Sequence, residues 1–436
     1  MFSRLLYGNN QQDASISSKN SPPPSSSESS TNLMFPTNNR TIYDPAKFSV
    51  PKRYQITQML GKGSYGIVCS AKDTLNSSSN YSIAIKKIIN IYSREILLKR
   101  AIRELKFMIF LKGHKNIISL IDLEIINDNL QYDGLYCYQE LIDHDLTKVI
   151  HSSAILTDFH IKYFIYQIIC GIKYIHSADI IHRDLKPGNI LVTWYGNLKI
   201  CDFGLARGIN PKFRRNQESN NIQRQPLTNS QTQSQSTFKP SNNNADNDIT
   251  NYVATRWYRA PELLLSRKEY TKAIDMWAIG CILAELYGRT PIFRGINQQH
   301  QIYEIIKVLG PPSNKTLIKF DSLTSWQLFN GSGKTMKKPT KFNSKIDWKL
   351  KYSNITTDAI SFLETLLTWD PDDRFNAEEA INHSFLMDVR KPHDEPDCPH
   401  GPFDYSYEYE LNSMNALREY LQKEVWNFRK ERSLQP

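Results

Sequence analysis

Eight consecutive residues, His182-Arg183-Asp184-Leu185-Lys186-Pro187-Gly188-Asn189, end thirteen positions ahead of Asp202, the first residue of Asp-Phe-Gly. No other feature constrains this chain as strongly. Phosphoryl transfer asks for positioning and neutralised charge more than for covalent chemistry. At this spacing Asp184 would orient a substrate hydroxyl and accept its proton, and Lys186 would neutralise the transferring phosphoryl. Asn189 and Asp202 would hold magnesium. Any fold for the chain has to gather these four side chains around one phosphate.

A second motif lies upstream. Gly61, Gly63, Gly66 and Val68 make Gly-x-Gly-x-x-Gly-x-Val, where absent Cβ atoms let backbone N–H groups approach phosphates. Alone it is weak, because dinucleotide-binding folds use a similar spacing. Here a second strand follows, with Ala84 and Lys86 in Ile-Ala-Ile-Lys, and it places a cation at the α and β phosphates. The nucleotide-binding stretch is therefore read as Leu60, Gly61, Lys62, Gly63, Ser64, Tyr65, Gly66, Ile67 and Val68, with Ala84 and Lys86. Glu104, in the helix that follows, is the expected partner of Lys86, and Glu95 the competing acid. Between the two motifs, Gln139 would line the back of the pocket and backbone groups of Glu140 and Ile142 would meet adenine. Asp145 and Lys148 read equally as ribose contacts or as helix-start charges, and Leu191 as the floor under the base.

The rest of the chain fits an α+β architecture, a small sheet-rich lobe at 54–138 and a large helical lobe at 143–386. Ile67 to Ser70 and Ser82 to Lys87 read as strands, Ser93 to Leu111 as an amphipathic helix, and Thr157 to Ser177 and Lys272 to Leu286 as long helices. Residues 1–50 and 210–248 are rich in Ser, Asn, Gln and Pro and read as a disordered tail and a disordered insert. A net charge of +10 is spread along the sequence rather than gathered into a stripe, which argues against nucleic acid. No apolar run approaches a membrane span, and Met1 to Asn10 lacks a secretory h-region. The six cysteines lack metal-ligand or disulfide spacing; Cys201, beside Asp202, reads better as a small core hydrophobe than as a reactive thiol.

From about Tyr54 to Leu386 these motifs resemble the eukaryotic protein kinases, and specifically the mitogen-activated protein (MAP) kinases. The discriminating features are Thr250-Asn251-Tyr252 ahead of Val253-Ala254-Thr255-Arg256, an insert at 312–345, and an extension over 387–436. The resemblance implies a two-lobed kinase fold, ATP and Mg2+, phosphorylation of Thr250 and Tyr252, and protein substrates with Pro after Ser or Thr. Phosphate on Thr250 would draw together Arg100, Arg103, Arg183 and Arg207, and phosphate on Tyr252 would meet Arg256 and Arg259. Glu262 with Arg374 resembles the buried ion pair of the large lobe, Asp275 the acid that braces the catalytic loop, and Phe403 to Phe428 an extension that packs on the small lobe.

Three departures sharpen the resemblance. Asn251 stands between the two phosphorylatable residues, as in the sporulation-specific MAP kinases of budding yeasts; Gly188 fits that branch and the cell-wall-integrity branch. In the acidic docking groove Asp394, Glu395 and Asp397 remain, but Lys391 stands where another Asp is expected. Weakened docking and an unusual activator, with Tyr252 self-modified, follow as expectations. Further implied partners are an upstream activating kinase or activator protein and phosphatases, with a monomeric chain in cytoplasm or nucleus. A scaffold that keeps the fold without catalysis is the competing class. Its mark would be loss of Lys86, Asp184 or Asp202, and all three are present.

Overall fold

Short β-branched runs broken by turn formers pair into the antiparallel sheet of the small lobe. Its strands are β3 (Tyr54–Gly63), β4 (Gly66–Asp73), β5 (Ser82–Ile88), β6 (Leu120–Ile126) and β7 (Gly134–Glu140), in the order β3-β4-β5-β7-β6. Ahead of them a hairpin of β1 (Arg40–Tyr43) and β2 (Phe48–Pro51) lies on the same lobe. The computed structural model describes residues 40–63, 66–75, 82–127, 131–209, 256–265, 271–320 and 346–433.

The hairpin corrects one expectation, because residues 40–50 are not part of a disordered tail. Phe48 and Val50 alternate with Ser49 and are fully buried, with the Phe48 ring 5.4 Å from Tyr136. Arg40 fixes the other end through Glu124 at 2.6 Å. A two-residue apolar alternation was hidden there by the Ser, Asn and Pro around it. Residues 1–39 and the insert at 210–248 lie outside the described residues.

Helix α1 (Glu95–Phe110) crosses behind the sheet. It starts at Glu95 rather than Ser93 because the Ser93 N–H and hydroxyl both bond the Asn90 carbonyl, at 3.1 and 2.8 Å, closing a turn. The chain then passes through β8 (His144–Asp145) into the large lobe, with α2 (Leu146–His151) and α3 (Asp158–Ser177). Thr157 and His160 form a reciprocal cap at the start of α3, which satisfies two otherwise orphaned donors. Four short strands follow, β9 (Ile180–Ile181), β10 (Ile190–Val192), β11 (Leu198–Ile200) and β12 (Arg207–Gly208), and they set the catalytic residues at the floor of the cleft. Helices α4 (Pro261–Leu265), α5 (Ala273–Gly288), α6 (Gln298–Leu309) and α7 (Asn314–Phe320) extend the core, α5 being buried along nearly its whole length, and the helices Thr357–Leu366 and Ala377–Ile381 close it. The insert expected at 312–345 thus begins as α7, and 321–345 lie outside the described residues.

The extension returns to the small lobe, as the sequence implies. Phe403 donates its N–H to the Ala178 carbonyl at 2.9 Å and sits 5.0 Å from both Phe107 and Phe110 of α1. The final helix α8 (Met414–Ser433) lies across α1 and β6, held by Tyr420 on Lys106 at 2.7 Å and by Arg432 on Asp122 at 2.6 Å. No helix among the described residues is long and apolar enough to cross a membrane.

Candidate active site

Successive residues of a strand point to opposite faces, so Lys86 enters the cleft while its neighbour Lys87 turns away. Lys86 donates to Glu104 at 2.5 Å and to Asp202 at 3.0 Å. Burial opposes its charge, but the two carboxylates outweigh it and hold the ammonium well above the ordinary lysine value. Conversely Lys86 holds Asp202 well below the usual carboxylate range. Glu104 is therefore the partner, and Glu95 heads α1 as the sequence allowed. Gly204 makes this approach possible: a Cβ there would lie 3.0 Å from Arg100 Nη2 and 3.2 Å from Glu104 Oε2.

On the catalytic loop, Asp184 Oδ2 accepts from Lys186 at 2.8 Å and from Asn189 Nδ2 at 3.0 Å. Among the described residues nothing bonds its Oδ1, the oxygen that can meet a hydroxyl. Asn189 also donates Nδ2 to the Asp184 carbonyl at 2.7 Å, which leaves its own Oδ1 as an acceptor. The loop is braced from below by Asp275, which accepts the N–H groups of His182 and Arg183, each at 2.8 Å, and faces His176 at 3.0 Å. Burial works against a charge at Asp275, yet these bonds keep its pKa below the ordinary value. Arg183 and Asp202 both take positive φ, 69° and 66°, so their side chains are aimed by backbone turns and not by regular structure.

Magnesium fits this donor set. Asn189 Oδ1 and the Asp202 carboxylate are the hard oxygen ligands the ion prefers, and Asp202 is ionised and 40% exposed toward the cleft.

At the hinge, Gln139 donates to the Met108 sulfur at 3.0 Å and closes the back of the pocket. The Glu140 N–H is taken by Ser119 at 3.2 Å, so its carbonyl is the group that can address a base amine. Leu191 pairs with Asp145 across β10 and β8, as a floor would. Asp145 caps α2, accepting from the Lys148 N–H at 3.0 Å, so its geometry is that of a helix start. Val68, Ala84 and Lys86 share the cleft face, and Ile142 lies at the cleft edge of the large-lobe core. Leu60, Gly61 and Gly63 follow along β3 and Gly66 opens β4; Ser64 and Tyr65 lie outside the described residues. Lys62 and Ile67 pair across the two strands with side chains on the opposite face, Ile67 being buried with Phe48 and Tyr136, so only their backbone can serve a phosphate. Burial lifts the Cys201 thiol to about 12, which agrees with a core residue.

Residues 54–386 match the protein kinase domain family. Over 404 residues the chain is 55% identical to the sporulation-specific mitogen-activated protein kinase SMK1 of Saccharomyces cerevisiae, covering 93% of this chain and 95% of that one. The chain belongs to the MAP kinases. The SLT2/MPK1 kinase of the same yeast is 42% identical over 88% of this chain and 71% of its own length. The spm1 kinase of Schizosaccharomyces pombe is 41% identical over 88% and 81%. This MAP kinase is accordingly a serine/threonine protein kinase, an enzyme class that uses ATP and Mg2+.

In this MAP kinase two of the arginines expected to read phosphate meet a carboxylate of the extension. Arg103 donates to both oxygens of Glu408, at 2.5 and 2.9 Å, and Arg207 reaches Glu408 at 3.5 Å. A guanidinium drawn out of water needs an anion, and the extension delivers Glu408 there. Arg100 lies beside Gly204, Arg183 and Arg259 line a small recess next to Asp184, and Arg256 donates to the Ile296 carbonyl at 2.9 Å. Thr250 and Tyr252 lie outside the described residues. Glu408 is the partner of these arginines that sequence reasoning missed; its signal was one of two acids in the aromatic run Phe403 to Tyr409.

The docking acids are each engaged within the chain. Asp394 pairs with Lys115 and Asp397 with Lys173, while Glu395 holds Arg390 through two contacts of 3.0 Å. The buried Glu262–Arg374 pair closes at 2.8 Å, as its motif implies.

Proposed function

We propose that this MAP kinase phosphorylates Ser or Thr followed by Pro, is switched by phosphorylation of Thr250 and Tyr252, and serves spore formation and spore-wall assembly. The observation that carries the catalytic part is the unbroken path Glu104–Lys86–Asp202 on one side of the cleft and Lys186–Asp184–Asn189 on the other. Asp184 Oδ1 orients the substrate hydroxyl and takes its proton as the oxygen attacks phosphorus. Lys186 neutralises charge on the phosphoryl in flight, and Lys86 holds the phosphates that stay behind. Bound at Asn189 and Asp202, magnesium supplies charge neutralisation on the phosphate oxygens.

Proline selectivity and the dual switch are supported by membership of the family and by arginines from four separate motifs in or near the activation segment, the run from Asp202 to Glu262. A role in sporulation is supported by likeness to a kinase named for it and by Asn251 between the two phosphorylatable residues. As a MAP kinase the protein acts on protein substrates and is itself addressed by upstream kinases and phosphatases. Its action as a monomer in cytoplasm or nucleus, and self-modification of Tyr252 with help from an activator, belong to the same proposal. The test is transfer of labelled phosphate from ATP to paired peptides that differ only in Pro or Ala after the acceptor. For the cellular part, deletion in the host should leave vegetative growth intact and spores with defective walls; normal spores would count against it.

A further inference from the structure

A cavity of about 760 Å³ opens on the face of the small lobe opposite the catalytic cleft. Its position follows from strand alternation. Lys62, Ile67 and Lys87 are register neighbours across β3, β4 and β5, and all three turn outward while Val68 and Lys86 turn into the cleft. The hairpin contributes Lys47 to one wall, the lead-in to α1 contributes Tyr92, and α8 contributes Arg418.

The charge of this cavity is one-sided. Among the described residues four cations line it, Lys47, Lys62, Lys87 and Arg418, against one carboxylate, Asp133. Lys47 is already paired with Asp44 at 3.0 Å. Lys87 is only 1% exposed and rests on two backbone carbonyls, Lys47 at 2.7 Å and Gln131 at 2.9 Å. Arg418 stacks on the Tyr92 ring at 5.0 Å, and among the described residues nothing takes its N–H fork. Burying a lysine without a carboxylate bonded to it is costly, and burial brings Lys87 down to about 8, so an anion beside it would recover much of that cost. Scaffold lysines of a sheet are ordinarily exposed at the edge; this one is a floor.

We propose that this cavity is a binding site for a phosphoryl-bearing anion, held by Lys62 and Arg418 at the rim and attracted by the charge of the buried Lys87 beneath. Cations on three separate elements suit a doubly charged group better than a single carboxylate, and an arginine fork matches phosphate oxygens. The volume exceeds a bare phosphate and falls in the range of sites for small organic ligands, with Ile67 and Tyr92 as apolar wall for the remainder. The phosphoryl group has two sources, a free small polyphosphate or a phosphoserine of the chain's own residues 1–39. That segment leads into the hairpin whose turn carries Lys47 into the cavity wall, is rich in serine, and carries Ser21-Pro22, which matches the kinase's own proposed acceptor pattern. The cavity itself does not depend on the catalytic reading; only the choice of Ser21 as a phosphate source rests on it.

The experiment is isothermal titration of the full chain, its catalytic cleft filled with magnesium and a non-hydrolysable ATP analogue. One arm uses inorganic tripolyphosphate. The other uses a peptide of residues 16–30 with phosphate on Ser21, beside the same peptide without it. At least one phosphorylated probe should bind, and binding should weaken about tenfold or more in Arg418→Glu. Lys87→Met should weaken it too, but Arg418→Glu, at a half-open rim, keeps the test valid if the buried substitution unfolds the lobe. Tripolyphosphate alone binding assigns a free ligand; the phosphopeptide alone assigns the chain's own segment; both support the shared chemistry. The proposal is overturned if neither phosphorylated probe binds, if the unmodified peptide binds equally well, or if Arg418→Glu binds as tightly as wild type.

Discussion

Arg103 of α1 and Glu408 of the extension share a two-bonded ion pair, and the same carboxylate reaches Arg207 at the start of the activation segment. Glu408 therefore stands where the sequence implies a phosphate would be read. Removing it strands a buried guanidinium, so Glu408→Gln should lower the stability of the unphosphorylated chain by roughly 1–3 kcal/mol. If phosphate on Thr250 takes over the same arginines, the loss should shrink in the phosphorylated protein. Denaturant midpoints of both proteins in both states check this; an equal loss in both states would separate Glu408 from the switch.

The extension also touches the activation segment through Gly208. A Cβ built there would overlap the Tyr405 ring. Gly208→Ala should then expel the buried Tyr405 ring and loosen Phe403 from α1, at a cost of about 1–3 kcal/mol. Loss of protection from hydrogen exchange should concentrate in 403–411. Unchanged exchange in that stretch would mean the contact does not anchor the extension.

The docking acids are paired internally, Asp394 with Lys115 and Asp397 with Lys173. A basic peptide must displace these lysines before it binds. Lys115→Ala and Lys173→Ala should each tighten binding of such a peptide severalfold, most at low salt. Fluorescence anisotropy across a salt series reads the effect, and no gain at low salt would show that the lysines do not compete.

His114 gives a pH signature. Burial first, then the neighbouring Lys115 and Lys199, bring its pKa from 6.5 down to about 4. Its Nδ1 accepts the Asn116 N–H at 3.1 Å, which requires the ring neutral there. Between those two values the unfolded chain binds a proton that the folded chain does not, so this contribution is complete above pH 6.5 and is lost as pH falls toward 4. His114→Asn should flatten the stability profile across that window. A profile as steep as wild type would assign the acid sensitivity elsewhere.

Much of the catalytic machinery was legible because its chemistry tolerates few substitutes. Lys86, Glu104, Asp184, Asn189 and Asp202 announce themselves by type and spacing, and the fold joins them as expected. What stayed hidden depended on contacts between distant segments. Glu408 meets Arg103 across 305 positions, and nothing local marks that acid as the arginine's partner. Residues 40–50 looked like tail because their two buried side chains, Phe48 and Val50, gain meaning only against Tyr136. The Asp145 ambiguity was local, and a capping bond to the Lys148 N–H resolved its geometry.

The central claim is that Asp184 and Lys86 serve one phosphoryl-transfer reaction on Ser-Pro or Thr-Pro sites. The direct measurement is the rate of phosphate transfer from ATP to a Ser-Pro peptide and its Ser-Ala counterpart by the chain phosphorylated on Thr250 and Tyr252, beside Lys86→Arg and Asp184→Asn. Wild type should prefer the Ser-Pro peptide by about tenfold or more, and each substitution should lower the rate by roughly 10²-fold or more. Equal rates for wild type and both variants would contradict the account.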